Sequence, residues 1–243
     1  MEYNNQNQTD IEENVQRPDR FVIVWGIFLT MVLLLCLPVA VHLVAFKILG
    51  LNKANGTALF ISRMCYWVIL LIVALYSTKV EKQKLLIWVN KKNDIAIYFL
   101  SAIIMFIAIA LLNGIANYVI AAILHHKEKS NQVLQLIEVF KNNKLLLIFA
   151  AFTAGVTEEL VFRGYLLPRL AFIFKNSYLA VFVSSLLFAV MHFGYGTIIN
   201  AIGPFIIGAI FAIHYMKYRN IVFLIVFHFL WDILAFLIAI RMH

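Results

Sequence analysis

Side chains that can carry chemistry lie inside apolar stretches of the second half of the chain. They are Glu158, Glu159, Arg163, His192, His228 and Asp232. An Asp, Lys or Arg at the centre of a membrane helix costs roughly 2.5–3.5 kcal/mol. We therefore expect these side chains to face one another, or water, in the interior of a helical bundle.

The spacing of these residues predicts which of them can meet within one helix. Glu159 and Arg163 are four residues apart, so they share a helix face and can form an ion pair. Glu158 points about 100° away from Glu159 and has no such partner in its own helix. His228 and Asp232 are also four residues apart and share a face. The pattern predicts one neutralised carboxylate and a second, Glu158, that is available for chemistry.

Two kinds of chemistry fit this set of residue types. A glutamate in apolar surroundings is a usable general base for water, and a neutral histidine can share the proton or donate to a developing oxyanion. Glu158, His192 and His228 could equally hold a zinc ion. No His-Glu-x-x-His helix is present, so the spacing leaves both possibilities open.

The composition is that of a protein embedded in a membrane. Of 243 residues, 63% are hydrophobic and 13% are charged, and the mean hydropathy is +0.90. A soluble domain carries about 25% charged residues. These values exclude an ordinary cytosolic enzyme and a disordered chain. The net charge of +8 comes from Lys and Arg residues that we assign to short loops, where they would set the topology. We therefore predict no nucleic-acid partner.

The apolar segments predict an all-α, polytopic transmembrane bundle of about seven helices, with a four-helix catalytic core in the second half. The segments are about 21–46, 58–76, 95–124, 145 to at least 167, 178–193, 198–216 and 221–240. The fifth and sixth are short for a full span, and a re-entrant turn is expected at 194–196. The predicted organisation is a polar tail at 1–20, three helices in 21–124, a connecting stretch at 125–144 and the core at 145–243.

Two further expectations concern the connecting stretch and the topology. The apolar pattern of Val133, Leu136 and Phe140 predicts either an amphipathic helix at the interface or the leading turns of the fourth helix. If the N-terminus is cytoplasmic, eleven Lys and Arg residues lie on the inner side, and these include Arg169. Eight lie on the outer side, and these include Arg63. This excess favours a cytoplasmic N-terminus.

Three motifs resemble those of one known family. Glu158-Glu159-x-x-x-Arg163 resembles the Glu-Glu-x-x-x-Arg signature of the CPBP family, the CAAX-protease and bacteriocin-processing membrane proteins, also called Abi. Phe188-x-x-x-His192 resembles the second motif of that family. The third is usually His-x-x-x-Asn, and 228–232 resembles it with Asp in the last position. The resemblance covers about residues 145–240, and the first three helices carry no motif.

The resemblance implies an intramembrane endopeptidase of the cell membrane. Its partners would be the bilayer and a membrane-embedded or lipidated peptide or protein substrate, such as a CAAX protein or a leader or bacteriocin peptide. A glutamate-activated water is favoured over a metal, so no cofactor is favoured.

The resemblance also implies roles for the motif residues. Glu158 would be the general base, and His192 would position or activate the water. His228 and residue 232 would form the oxyanion site. An ionised Asp232 cannot donate to an oxyanion, so it must be protonated or must instead orient His228. The remaining pair, Glu159 and Arg163, would fix the helix and tune the base.

Two other functions fit parts of the pattern. One is a non-catalytic immunity or binding protein on the same scaffold. The other is a small transporter or proton relay, because these also bury Glu, Arg and His. Transporters are typically built from paired halves with inverted symmetry, and the charged half has no counterpart in residues 21–124.

Overall fold

The computed structural model describes residues 19–49, 56–125 and 130–242, and within these ranges the chain forms helices and no strand. The helices are α1 (Arg20–Leu49), α2 (Gly56–Lys79), α3 (Ile95–Leu124), α4 (Asn131–Asn142), α5 (Lys144–Glu159), α6 (Leu167–Phe174), α7 (Ser177–Met191), α8 (Ile199–Tyr218) and α9 (Ile221–Met242). A π-helical segment, Leu160–Leu166, joins α5 to α6 without a break. The predicted all-α polytopic bundle is confirmed. The predicted polar tail at 1–20 lies almost entirely outside the described residues.

Six helical stretches of the described residues are long and apolar enough to cross a membrane. The apolar helix α7 has 15 residues, or about 22 Å, against a hydrocarbon core of about 30 Å. The fifth predicted segment is therefore short, as expected. The sixth was also expected to be short, and this was wrong, because α8 continues to Tyr218 and reaches 20 residues with Pro204 inside it.

The stretch Lys144–Phe174, which comprises α5, the π segment and α6, forms the centre of the bundle. Its most apolar window is 61% buried, whereas the other five spanning helices are 17–28% buried. Helix α5 packs against α2 and α9, and α7 packs against α6 and α8. Helices α1 and α3 lie farther out, on α2 and α8 respectively. The motif-bearing stretch is thus the one most enclosed by other helices.

Helix α4 is a separate amphipathic helix and not the start of α5. The Ser130 hydroxyl accepts from the Val133 N–H at 3.1 Å and begins α4. Asn143 interrupts the chain in an extended conformation, and its side chain accepts from the Leu146 N–H at 3.0 Å to begin α5. On the apolar face of α4, Phe140 packs against the Phe236 ring of α9, with centroids 4.8 Å apart. The alternative that these residues are the leading turns of the fourth helix was therefore wrong, and the position of α4 at the membrane interface stays a prediction.

A buried ionic cluster, separate from the motif residues, joins the irregular connection between α2 and α3 to the central helix. Glu81 accepts from Arg169 Nε at 2.8 Å and from the Tyr165 hydroxyl at 2.6 Å. Arg169 also donates to the Ser77 hydroxyl at 2.7 Å. Neither side chain of the ion pair is exposed. The assignment of Arg169 to a loop was therefore wrong, because a carboxylate from a distant loop compensates its charge inside the bundle.

We expect Arg169→Ala to lower the free energy of unfolding by roughly 3–5 kcal/mol, because it leaves the Glu81 carboxylate buried and unpaired. Chemical unfolding in detergent, followed by tryptophan fluorescence, measures this change. Arg241→Ala, at an exposed position near the end of α9, is the matched control. The double variant Glu81→Leu with Arg169→Met is expected to recover much of the loss. An Arg169→Ala protein as stable as wild type would contradict the role of the cluster.

Candidate active site

The first motif lies where α5 passes into the π-helical segment. Glu158 and Glu159 are the last residues of α5, and Arg163 lies in the seven-residue π segment. The sequence predicted a continuous α-helix here, and that was wrong. π-Helical turns are rare in proteins, and those that occur are often found at functional sites. The predicted ion pair is nevertheless present, with Arg163 Nη1 at 2.9 Å from Glu159 Oε1.

Glu159 connects three parts of the bundle. It is fully buried, and the same Oε1 atom that accepts from Arg163 lies 2.8 Å from His228 Nδ1 on α9. Arg163 in turn donates through Nη2 to the Gly208 carbonyl of α8 at 3.2 Å. The sequence assigned Glu159 to Arg163 alone, because its partner on α9 is 69 residues away along the chain.

The contact between His228 and Glu159 depends on a close approach of α9 to α5. A Cβ atom built on Gly155 would lie 2.9 Å from the Ile225 carbonyl oxygen and 3.2 Å from the Phe229 nitrogen. A real Cβ atom this close to the backbone of α9 would force the two helices to shift. A residue without a side chain therefore permits the backbones to pack at this separation.

Phe188, the first residue of the second motif, joins the three motifs through its ring. The Arg163 guanidinium carbon lies 4.6 Å from the ring centroid, which is a cation–π distance. The ring centroid is 4.7 Å from that of His192 and 6.4 Å from that of His228. The buried aromatic side chain therefore lies beside Arg163 and beside both imidazoles.

His192 lies at the end of α7, where the chain turns back. Its Nδ1 is 2.8 Å from the Phe188 carbonyl oxygen, which accepts, so the proton of a neutral ring lies on Nδ1 and Nε2 carries the lone pair. A 3₁₀ turn, Phe193–Tyr195, follows, and Gly196 adopts a φ of +82°. The chain turns at the position expected for a re-entrant turn, 194–196, and the re-entrant character of this turn stays a prediction. This conformation leads the chain into α8.

One cavity brings together four of the six predicted site residues. Glu158, His192, His228 and Asp232 line a cavity of about 300 Å³ whose other walls are mostly apolar and reach α4. Glu158 and His192 also line an adjoining pocket of about 30 Å³, which is large enough for a water molecule. Glu159 and Arg163 line neither space. Their contacts hold together the elements that form the walls of the cavity.

The third motif pairs within its helix as the spacing predicted. His228 Nε2 lies 3.7 Å from Asp232 Oδ2, and His228 is buried while Asp232 is half-buried. Both imidazole nitrogens of His228 thus face carboxylates, those of Glu159 and Asp232. This geometry fits an Asp232 that orients His228.

The described residues do not assemble a metal site. Among them, no group of three or more His, Cys, Asp or Glu side chains is arranged to hold a metal ion. His228 directs one nitrogen at Glu159 and the other at Asp232, and His192 directs Nδ1 at a backbone carbonyl. The zinc set considered from the sequence, Glu158 with the two histidines, does not fit this arrangement.

The sequence analysis missed Arg63, which lines both the cavity and the water-sized pocket. The sequence assigns it to the outer charges that set topology. The structure places it inside α2, on the face that packs against α5. The available signal was a basic residue inside an apolar segment.

The fold and the site define a polytopic helical membrane protein in which carboxylate and imidazole side chains from three helices share one cavity. Residues 140–234 match the family model described as Type II CAAX prenyl endopeptidase Rce1-like. All three motifs lie within the match, and the resemblance to the CPBP family is thereby confirmed for this part of the chain. In general terms, the match implies a peptidase of the intramembrane endopeptidase kind. No curated protein and no solved structure matched the chain.

Proposed function

We propose that the protein hydrolyses a peptide bond in a membrane-embedded or lipidated peptide, using a water molecule that Glu158 activates. The observation that carries this proposal is the water-sized pocket, which Glu158 and His192 line together and which adjoins the larger cavity. A nucleophilic water there would lie beside both a carboxylate and an imidazole.

The geometry supports a general-base mechanism. Glu158 takes a proton from water as the water oxygen attacks the carbonyl carbon of the scissile bond. His192, with its proton directed at the Phe188 carbonyl, presents a nitrogen lone pair that accepts a hydrogen bond from the water. The tetrahedral intermediate then collapses, and the proton held by Glu158 passes to the leaving amide nitrogen.

The third motif acts on the same intermediate. His228 is held by the Glu159 carboxylate through Nδ1, so its ring orientation is set by the buried ion pair. Asp232 lies on the opposite side of the ring and fixes its position as well. We assign His228 to the oxyanion side of the site and Asp232 to positioning His228.

The lining of the larger cavity supports a substrate with an apolar segment. Between the carboxylates and α4, the walls are formed by side chains such as Leu136, Phe140, Leu147 and Phe236. An apolar peptide segment or an attached lipid fits this surface, whereas a polar peptide would be desolvated without compensation.

The orientation in the membrane is also a proposal. Arg63 and Arg169 lie inside helices, so each side of the membrane loses one loop charge and the excess of Lys and Arg keeps its direction. That excess supports a cytoplasmic N-terminus, and we place this multi-pass protein in the cell membrane as part of the same proposal.

The function is tested by incubating the purified, detergent-solubilised protein with a panel of lipidated and unmodified peptides. The products are identified by mass spectrometry, with and without a strong chelator. We expect cleavage of peptides with an apolar or lipidated segment, at a rate that the chelator does not change. Loss of cleavage with chelator and recovery with zinc would assign Glu158, His192 and His228 to a metal instead. Binding of a peptide without cleavage would favour an immunity or binding role.

A further inference from the structure

Arg63 reaches the proposed reaction centre from a helix outside the matched residues 140–234. Helices α2 and α5 run side by side in the same direction. The Phe60 and Phe149 rings lie 4.9 Å apart, and farther along Trp67 Nε1 donates to the Thr153 hydroxyl at 3.1 Å. Residues 60, 63 and 67 share one face of α2, so these two contacts fix the face on which Arg63 lies.

The side chain of Arg63 is half-buried, and the residue lines both the cavity and the water-sized pocket. Its guanidinium carbon lies 5.3 Å from the ring centroid of Tyr66, which is within cation–π range. Tyr66 also lines the water-sized pocket, together with Thr157 and the motif residues Glu158 and His192. Arg63 is thus held by its helix and by an aromatic neighbour, and it lines both the pocket and the cavity.

Arg63 lines the same cavity as His192 and Asp232, which belong to different motifs. Of the described residues that line the larger cavity, Arg63 is the one whose side chain always carries a positive charge. The other arginine of the site, Arg163, is buried, lines neither space, and donates to Glu159 and to a backbone carbonyl.

Hydrolysis is accelerated by hydrogen-bond donors or positive charge at the position where negative charge develops. When the water oxygen bonds to the carbonyl carbon, the π-electron pair moves onto the carbonyl oxygen. An ionised Asp232 can only accept hydrogen bonds. Nδ1 of His228 is directed at Glu159, and its Nε2, at 3.7 Å from Asp232 Oδ2, is the one donor that the motif can offer. The third motif by itself therefore leaves the oxyanion poorly served by donors.

We propose that Arg63 is a catalytic residue of this peptidase and that its guanidinium donates to the oxyanion of the tetrahedral intermediate. The inference rests on the proposed function. Arg63 keeps its protons throughout; the carbonyl re-forms as the C–N bond breaks, and the leaving nitrogen takes the proton that Glu158 removed from water. The electrons and protons of the step therefore balance without another reactant.

The test compares Arg63→Gln and Arg63→Lys with wild type on a peptide that the wild type cleaves. Each protein is also titrated with a phosphinic analogue of that peptide, whose anionic oxygen mimics the oxyanion. We expect Arg63→Gln to lower kcat by roughly 10²–10³-fold and to weaken analogue binding by a similar factor. KM should change by less than about threefold, because the interaction forms in the transition state.

Arg63→Lys keeps the charge but loses the planar fork, so it should lose roughly tenfold in both kcat and analogue affinity. Arg241→Gln, at an exposed position of α9, is the matched control and should behave as wild type. If Arg63→Gln loses its helical fold, Arg63→Lys decides the question.

Three results would overturn the assignment of Arg63. One is a wild-type kcat and analogue affinity in a folded Arg63→Lys or Arg63→Gln protein. Another is a raised KM with unchanged kcat, limited to peptides with a free C-terminal carboxylate and absent for their amides, which would make Arg63 a substrate anchor. The third is a loss of kcat with wild-type analogue affinity. The proposed function fails separately, by a wild-type rate of cleavage in Glu158→Gln.

Discussion

Glu158→Gln is expected to abolish peptide cleavage while leaving the helical fold intact. Glutamine keeps the shape of the side chain but cannot take a proton from water, so the general-base contribution of about 10²–10⁴-fold is lost. Glu158 is half-buried and faces the cavity, and the buried ion pair uses its neighbour Glu159, so the packing is preserved. Initial rates of cleavage measure the effect, and circular dichroism measures the fold.

The control for this variant is Glu138→Gln, an exposed glutamate of α4 that lines neither the cavity nor the pocket. It should cleave at the wild-type rate. A folded Glu158→Gln protein that cleaves as fast as wild type would remove Glu158 from catalysis. Retention of an immunity or binding phenotype by Glu158→Gln, with no cleavage by wild type, would support the non-catalytic alternative.

Arg163→Met is expected to lower the free energy of unfolding by roughly 3–5 kcal/mol and to abolish activity. The substitution leaves the fully buried Glu159 carboxylate without the arginine that neutralises it. It also removes the cation that lies 4.6 Å from the Phe188 ring centroid and the donor to the Gly208 carbonyl. These contacts of Arg163 connect the π segment to α7 and α8. Unfolding in detergent and initial rates of cleavage give the two readouts.

The double variant Glu159→Gln with Arg163→Met separates stability from activity. It leaves no unpaired charge in the core, so much of the stability should return. Activity should stay low, because His228 loses the carboxylate that lies 2.8 Å from its Nδ1. Arg241→Met is the control for replacing an arginine at an exposed site. Wild-type stability of the single variant Arg163→Met would mean that Glu159 is not held as a buried anion.

Properties that depend on neighbours along one helix were predictable from the sequence. The apolar segments match the observed helices to within a few residues, because their length and composition are local quantities. The Glu159–Arg163 pair and the proximity of His228 to Asp232 follow from a spacing of four residues. The family resemblance also depends on such short motifs, and the match at residues 140–234 confirmed it.

The π-helical segment lay beyond the reach of these patterns. The residues Leu160–Leu166 are apolar or aromatic apart from Arg163 and Gly164, and nothing in their order separates π from α geometry. A built Cβ on Gly164 would lie 2.6 Å from Leu86, a residue of the α2–α3 connection. The local helix geometry is therefore packed against a segment far away in the chain.

By itself the sequence determined the helices, the pairs within them and the class of chemistry that their side chains can perform. Only the tertiary structure decided which helices meet. It joined Glu159 to His228 across a close approach at Gly155, and it brought Arg63 to the cavity. These contacts join residues that are far apart in the chain, and they depend on how helix surfaces fit one another. That fit is a property of packed pairs of helices, which the periodicity of a single helix does not specify.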